Sequence, residues 1–415
     1  MEKVQLFGMP AEKGRWLLIP LSITILLCLG TVYSWSIFRK PLEKLLNVGA
    51  TDSLLPFTVL LVVFAILMPI TGFYINRFDT RLITGVGGLI TALGYILSSL
   101  GGNIPTLTIT YGVIAGMGVG IAYGVPLAVV AKWFPDKKGL AVGATVIGFG
   151  LSPLITAPLA KFLIDAFGVR QTFVILGIAF AAIITAISTI LTTPPQGWQP
   201  QEWTPPVAIQ ANSYTKTSGS ILQTSSFYGL WFCYTIGSFA GLAAIGISSP
   251  LAQEIIKLDA ATAANTVSLF AVFNGAGRLF FGWFTDKFTP KLGAIVSFVF
   301  ILIASIMMLS AGKGSVLTYI VAFSLFYLAL GGWLAIAPTS TLIIFQPQDY
   351  AKNYGIVFTA YGMGALGGTL LAGKIRDIFG SYTNFFYPTA GLAIVGIILA
   401  VFTLKRTSTN ADLVT

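Results

Sequence analysis

The sequence predicts an all-α membrane protein: twelve transmembrane helices in two six-helix pseudo-repeats. Three observations predict it. Of 415 residues, 55% are hydrophobic and only 9% are charged, against roughly one quarter charged in soluble domains. Apolar runs of about 20 residues recur along the whole chain, each long enough to cross a hydrocarbon core of about 30 Å as a helix. Short signatures in the first half also return in the second at a nearly constant offset.

The expected spans are residues 15–36, 54–75, 82–102, 104–134, 138–166, 170–192, 226–254, 263–286, 291–311, 314–345, 352–376 and 384–404. The first follows a charged leader (Glu2, Lys3, Glu12, Lys13, Arg15) and runs too long for a signal peptide, so it is expected to stay in the mature protein. If odd-numbered spans run outward, the inner segments hold fourteen Lys and Arg, Arg15 among them, and the outer segments nine. The positive-inside bias then places both termini in the cytoplasm of a multi-pass protein of the plasma (inner) membrane. Much of the net charge of +10 is topogenic on this reading and needs no nucleic-acid partner. Arg39, Lys40, Lys161, Arg170, Lys374 and Arg376 read as solvated helix ends. Cys28 and Cys233 fall inside apolar spans and read as small packing side chains.

Gly72, Arg77 and Arg81 follow the second span, and Gly282, Lys287 and Lys291 follow the eighth at an offset of 210. Asp165, Phe167, Gly168 and Phe173 return as Asp377, Phe379, Gly380 and Phe385 at an offset of 212. The duplication predicts an N-terminal six-helix bundle over residues 1–192 and a C-terminal one over 226–415. Residues 193–225 between them form a polar, Pro-rich cytoplasmic linker. Its Pro194-Pro195 and Pro205-Pro206 pairs cannot run as continuous helix, and Trp198 and Trp203 are placed at the membrane interface.

Arg278 is the most informative single residue. It lies inside the apolar run 269–284, and no Asp or Glu occupies the middle of any span. A guanidinium cannot shed its proton, and placing it at mid-bilayer costs roughly 2.5 to 3.5 kcal/mol on insertion scales. Such a residue usually faces a watery pathway, so the missing counter-charge points to an anionic substrate. Asn274 lies one turn away on the same face. An enzyme is not expected, because no Cys/His, paired-carboxylate or metal-ligand cluster lies within the spans. No cofactor or metal is expected either.

The pattern Gly-x-x-x-Asp-Arg-x-Gly-Arg-Arg after a second span resembles that of the major facilitator superfamily, and both halves carry altered copies. In the first, Gly72, Arg77 and Arg81 match while Asn76 replaces the acid; in the second, Gly282, Asp286, Lys287 and Lys291 match. The resemblance implies gating by a clasp between the halves built on Gly72, Asn76, Arg77, Arg81, Gly282, Asp286 and Lys287. Losing the acid at Asn76 should weaken the clasp on that side.

A narrower resemblance is to the oxalate/formate antiporter family, related to the monocarboxylate transporters. It rests on Tyr33-Ser34-Trp35, Lys132-Trp133-Phe134-Pro135-Asp136-Lys137-Lys138, Asn274-Gly275-Ala276-Gly277-Arg278, Asn353-Tyr354-Gly355 and the Pro-Pro-x-Gly-Trp of the linker. This likeness implies that Arg278 binds the substrate carboxylate, helped by Asn274, in a cavity lined by Tyr33, Tyr123, Phe149, Tyr327, Leu330, Leu334 and Phe358. Where that family's dicarboxylate carriers place a lysine, this chain has Tyr361. One intramembrane cation suits one carboxylate, since a dianion would leave a charge uncompensated in a dry site.

The expected function is secondary transport of small organic anions, chiefly monocarboxylates such as lactate, pyruvate or formate, by alternating access of a monomer. Protons or a counter-anion are the expected coupling partners. An oxalate/formate-type exchanger, or a carrier of drugs or sugars, is the alternative reading.

Overall fold

The computed structural model describes residues 4–75, 77–195, 197–200, 221–345 and 350–404. Asn76, Trp203 and most of the linker lie outside the described residues.

Among the described residues, eleven helical runs are long and apolar enough to cross a membrane. The first four are α1 (Ala11–Leu46), α2 (Ala50–Tyr74), α3 (Thr80–Ser98) and α4 (Ile104–Trp133). The fifth, Lys138–Ser188, has 51 residues, and at 1.5 Å per residue it would extend about 75 Å, more than twice a hydrocarbon core. It breaks at Gly168, whose φ of 80° and ψ of 164° are not helical; only glycine adopts such a conformation without strain. The limbs 138–167 and 169–188 are therefore taken as α5 and α6. The remainder are α7 (Ser225–Ile256), α8 (Ala260–Lys287), α9 (Pro290–Leu309), α10 (Val316–Ile344), α11 (Lys352–Phe379) and α12 (Thr383–Thr403).

Polar side chains set several helix starts. Asp79 accepts from the amide of Arg81 at the head of α3, and Asp259 accepts from those of Ala261 and Thr262 at the head of α8. Thr289 caps α9 with Pro290 in the first position, where its missing N–H costs nothing. Ile66, Phe73, Phe162, Leu279, Ile306 and Phe402 are all exposed, as expected of a bundle whose outer surface meets lipid rather than water.

Three seams join the first half of the chain to the second: α2 packs on α11, α5 on α8, and α1 on α7. The first helix is longer than the sequence predicts, continuing through Pro41 to Leu46. Its amphipathic end is too polar to register in a hydropathy window, which is why the expected span stopped at residue 36.

Arg15 also departs from expectation. It is buried (5% exposed) and grips Asp136 with both terminal nitrogens, at 2.6 and 2.9 Å. It donates as well to the carbonyl of Trp133 and lies over the Phe134 ring. Trp198 packs edge-on against Trp133, with centroids 4.8 Å apart, and the Trp133 indole donates to the Thr192 carbonyl. Thr192 and Trp198 are thereby fastened to the end of α4. Cys28 and Cys233 are buried as expected.

Candidate substrate site

Arg278 sits on α8 with 5% of its surface exposed. Its Nη1 crosses to the other half of the chain and donates to the main-chain carbonyl of Val146 on α5 at 2.8 Å. Its Nη2 meets Asn274 Oδ1 at a long 3.4 Å, and its Nε is buried with no partner among the described residues. Ion pairs there involve Arg15, Arg39, Lys40, Lys161 and Arg376; none involves Arg278. The guanidinium is thus a buried, incompletely satisfied cation, a costly state unless it serves a purpose.

Asn274 is fully buried and donates to the Tyr327 carbonyl of α10 at 3.2 Å. That bond turns its oxygen toward the guanidinium. Gly150 on α5 closes the arrangement from the opposite half. A Cβ at that position would lie 2.5 Å from Asn274 Oδ1 and 3.0 Å from Arg278 Nε, so only glycine leaves the pair undisturbed.

An aromatic cluster spans the two halves beside this pair. The Tyr33 and Tyr361 hydroxyls are 2.7 Å apart. Phe149 meets Tyr33 and Tyr123 edge-on at 5.0 and 5.1 Å, and Phe358 stacks on Tyr361 at 5.1 Å. The Tyr123 hydroxyl lies beside the guanidinium. At the centre, Phe64 touches Tyr123, Phe149, Phe358 and Tyr361. Tyr327 is one step removed, with its hydroxyl 3.2 Å from Ser248 Oγ. Leu330 packs on Gly241 of α7, and Leu334 is half-buried against the core. The arrangement sets one fixed cation beside aromatic walls and hydroxyls.

Phe64 and Gly150 carry no individual signal in the sequence. Phe64 is one of 31 phenylalanines and carries no polar signal. Gly150 ends a glycine-rich stretch whose members look alike until the helix opposite is known.

At the far end of α1 the structure overturns an expectation. Arg39 is not a solvated helix end: none of its surface is exposed. It donates to Ser53 Oγ, Glu43, the Ala50 carbonyl, the Gly246 carbonyl of α7 and the Tyr382 hydroxyl near the start of α12. Lys40 and Arg376 both pair with Glu254 at the end of α7. Asp377 at the end of α11 accepts from the amides of Ala50 and Thr51 at the head of α2, at 2.8 and 2.9 Å. These ties join first-half and second-half helices at one end of the bundle.

The repeated glycine-and-basic signature lies at the other end. Gly72, Arg77, Arg81, Asp286 and Lys287 are exposed. Arg77 lies over the Tyr74 ring and Lys287 over the Trp283 ring, both contacts within one half. Gly282 faces Ala335. Among the described residues, no ion pair involves Arg77, Arg81, Asp286 or Lys287. Asn76 lies outside the described residues.

Eleven membrane-length helical runs among the described residues, the fifth broken at Gly168, make a multi-pass membrane protein. The Major Facilitator Superfamily pattern matches residues 20–345 and 230–414, and the chain belongs to that superfamily, a class of transporters and not of enzymes. It is 29% identical to the oxalate:formate antiporter of Oxalobacter formigenes over 396 residues, covering 95% of this chain and 92% of that one. It is 25% identical to monocarboxylate transporter 12 of Mus musculus over 351 residues, covering 78% and 72%. Among solved structures, a point mutant of the nucleoside transporter NupG superimposes with a TM-score of 0.72 at 12% identity, covering 94% of this chain and 100% of that one. A bacterial homologue of the lysosomal transporter Spinster gives 0.67 at 14% identity, covering 94% and 95%.

Proposed function

We propose that this chain is a secondary transporter of small monocarboxylates, working by alternating access in the plasma membrane with both termini cytoplasmic. The observation that carries the reading is the state of Arg278: buried between the two halves, short of partners, and touched among the described residues by a carbonyl, an amide and the Tyr123 hydroxyl but by no carboxylate. A substrate carboxylate would complete the site with charge-assisted hydrogen bonds, roughly twice as strong as neutral ones. Similarity to an oxalate:formate antiporter and to monocarboxylate transporters supports the same substrate chemistry.

Residues 1–192 and 226–415 act as the two moving halves, linked by 193–225. Arg278, Asn274, Tyr33, Tyr123, Phe149, Tyr327, Leu330, Leu334, Phe358 and Tyr361 form the binding region. With Tyr361 facing Tyr33 rather than supplying a second cation, the site favours one carboxylate over two. By the distribution of Lys and Arg, the Arg39 end is the outer face, so the conformation described is closed to the outside. The Gly72 to Arg81 and Gly282 to Lys287 segments then form the inner gate when the outer ties part.

A thermal-shift panel of lactate, pyruvate, formate, acetate, oxalate and aromatic carboxylates on wild type and Arg278→Ala tests the reading. Stabilisation by monocarboxylates in wild type alone is expected. No carboxylate stabilising wild type, or equal stabilisation of the variant, would overturn it. In proteoliposomes, proton uptake alongside substrate indicates symport, whereas a strict need for internal anion indicates exchange.

A further inference from the structure

Tyr234, on α7, has no role in the binding region assembled above. Its side chain is wholly buried. The ring stacks on Trp333 with centroids 6.0 Å apart, which anchors it in the second half of the bundle. On the other side it meets Phe358 at 6.3 Å and Tyr361 at 6.4 Å. The ring therefore stands directly behind the two second-half aromatics of the cluster.

The hydroxyl is the informative atom. It is buried with no hydrogen-bond partner among the described residues. The Tyr354 side chain lies beside it. A buried hydroxyl left unpaired is costly, and most buried polar groups avoid that state. Phenylalanine at this position would fill the same space and avoid the cost. Among the described residues Arg278 Nε, Trp333 Nε1 and Tyr234 Oη are all buried donors without a partner, and Tyr234 joins the aromatic cluster through Phe358 and Tyr361.

We infer that Tyr234 is a further substrate-binding residue, its hydroxyl donating to the small carboxylate held by Arg278. This rests on the transport reading above and deepens it. The anion is then recognised by one cation and a neutral donor from a different helix, α7, which packs against α1 of the opposite half. Binding thereby ties two second-half helices, α7 and α8, to one ligand.

The test uses the full-length protein in nanodiscs, titrated with formate, acetate, lactate and oxalate, in wild type, Tyr234→Phe and Arg278→Gln. Tyr234→Phe should leave the ligand-free melting midpoint unchanged or raised, because it removes an unpaired hydroxyl, while the Kd for the monocarboxylates rises about tenfold, the loss expected for one hydrogen bond to a charged group. Arg278→Gln should abolish the response. A wild-type Kd in Tyr234→Phe with the response lost in Arg278→Gln overturns the role of Tyr234 and leaves the transport reading standing. A lowered ligand-free midpoint in Tyr234→Phe shows that the hydroxyl has a structural partner and also overturns it. Absence of any response in wild type removes both.

Discussion

Arg278 on α8 donates to the Val146 carbonyl on α5 at 2.8 Å, so the cation beside the aromatic cluster is shared between the two halves of the chain. Because a main-chain oxygen offers only partial charge, the contact holds the guanidinium without neutralising it. An arriving carboxylate can take over that donor. On the proposed transport reading, this one hydrogen bond between α5 and α8 is the contact that substrate would replace.

Gly150 is where that geometry is least forgiving. Gly150→Ala should cost about 1 to 3 kcal/mol by overpacking and sharply reduce transport, because its methyl meets both Asn274 and Arg278. Gly143→Ala, where a Cβ would face open space, should be close to neutral. Melting midpoints and initial uptake rates of the two variants check this; equal effects would remove the special role of position 150.

Tyr361→Lys places a second cation near the first. Oxalate should then stabilise the protein and monocarboxylates should bind more weakly, since two buried cations repel without a dianion between them. Calorimetric titration with oxalate and formate measures the exchange of preference. If oxalate leaves the variant unchanged, position 361 does not set substrate charge.

Arg39→Gln removes the charge from a fully buried network. Breaking a buried ion pair by deleting one partner costs on the order of 3 to 5 kcal/mol, here concentrated at the end where the halves are tied. Leu54 is wholly buried beside this network. In a background with Cys28 and Cys233 replaced by Ala, Leu54→Cys should label slowly with a membrane-impermeant maleimide and markedly faster once Arg39→Gln is added. Unchanged labelling would show that the network does not hold that end shut.

The Arg15 and Asp136 pair gives a pH signature. Hydrogen bonds from the Arg15 guanidinium hold the Asp136 carboxyl below its usual range. A depressed folded value means the stabilisation is present above the ordinary carboxylate pKa of about 3.9 and is lost as pH falls through the lower, folded value. Wild type should exceed Asp136→Asn by on the order of 1 kcal/mol after solvent screening, constant from neutral pH to about 5, and the difference should close below about pH 4. Melting midpoints across that range check it; a gap that persists in acid would assign the stabilisation to neutral contacts.

The sequence made the helices legible because hydropathy and length alone decide what can cross a bilayer. It made Arg278 legible because a charge inside an apolar run is rare. What it could not show is pairing across distance. Arg39 looks like any basic residue at a helix end until Gly246 and Tyr382 are brought beside it. Gly143 and Gly150 are indistinguishable in a glycine-rich stretch until α8 is placed opposite one of them. The hydroxyls of Tyr33 and Tyr361, 328 positions apart, meet only in the folded bundle.

Gly49, the residue before α2, offers no side chain to cap the helix, and Asp377 of α11 supplies the missing acceptor from the opposite half. If that end of the bundle opens as proposed, the first turn of α2 must surrender its borrowed acceptor and trade it for water. Hydrogen exchange at the Ala50 and Thr51 amides would then follow each opening directly, giving a built-in reporter of the proposed cycle that requires no label.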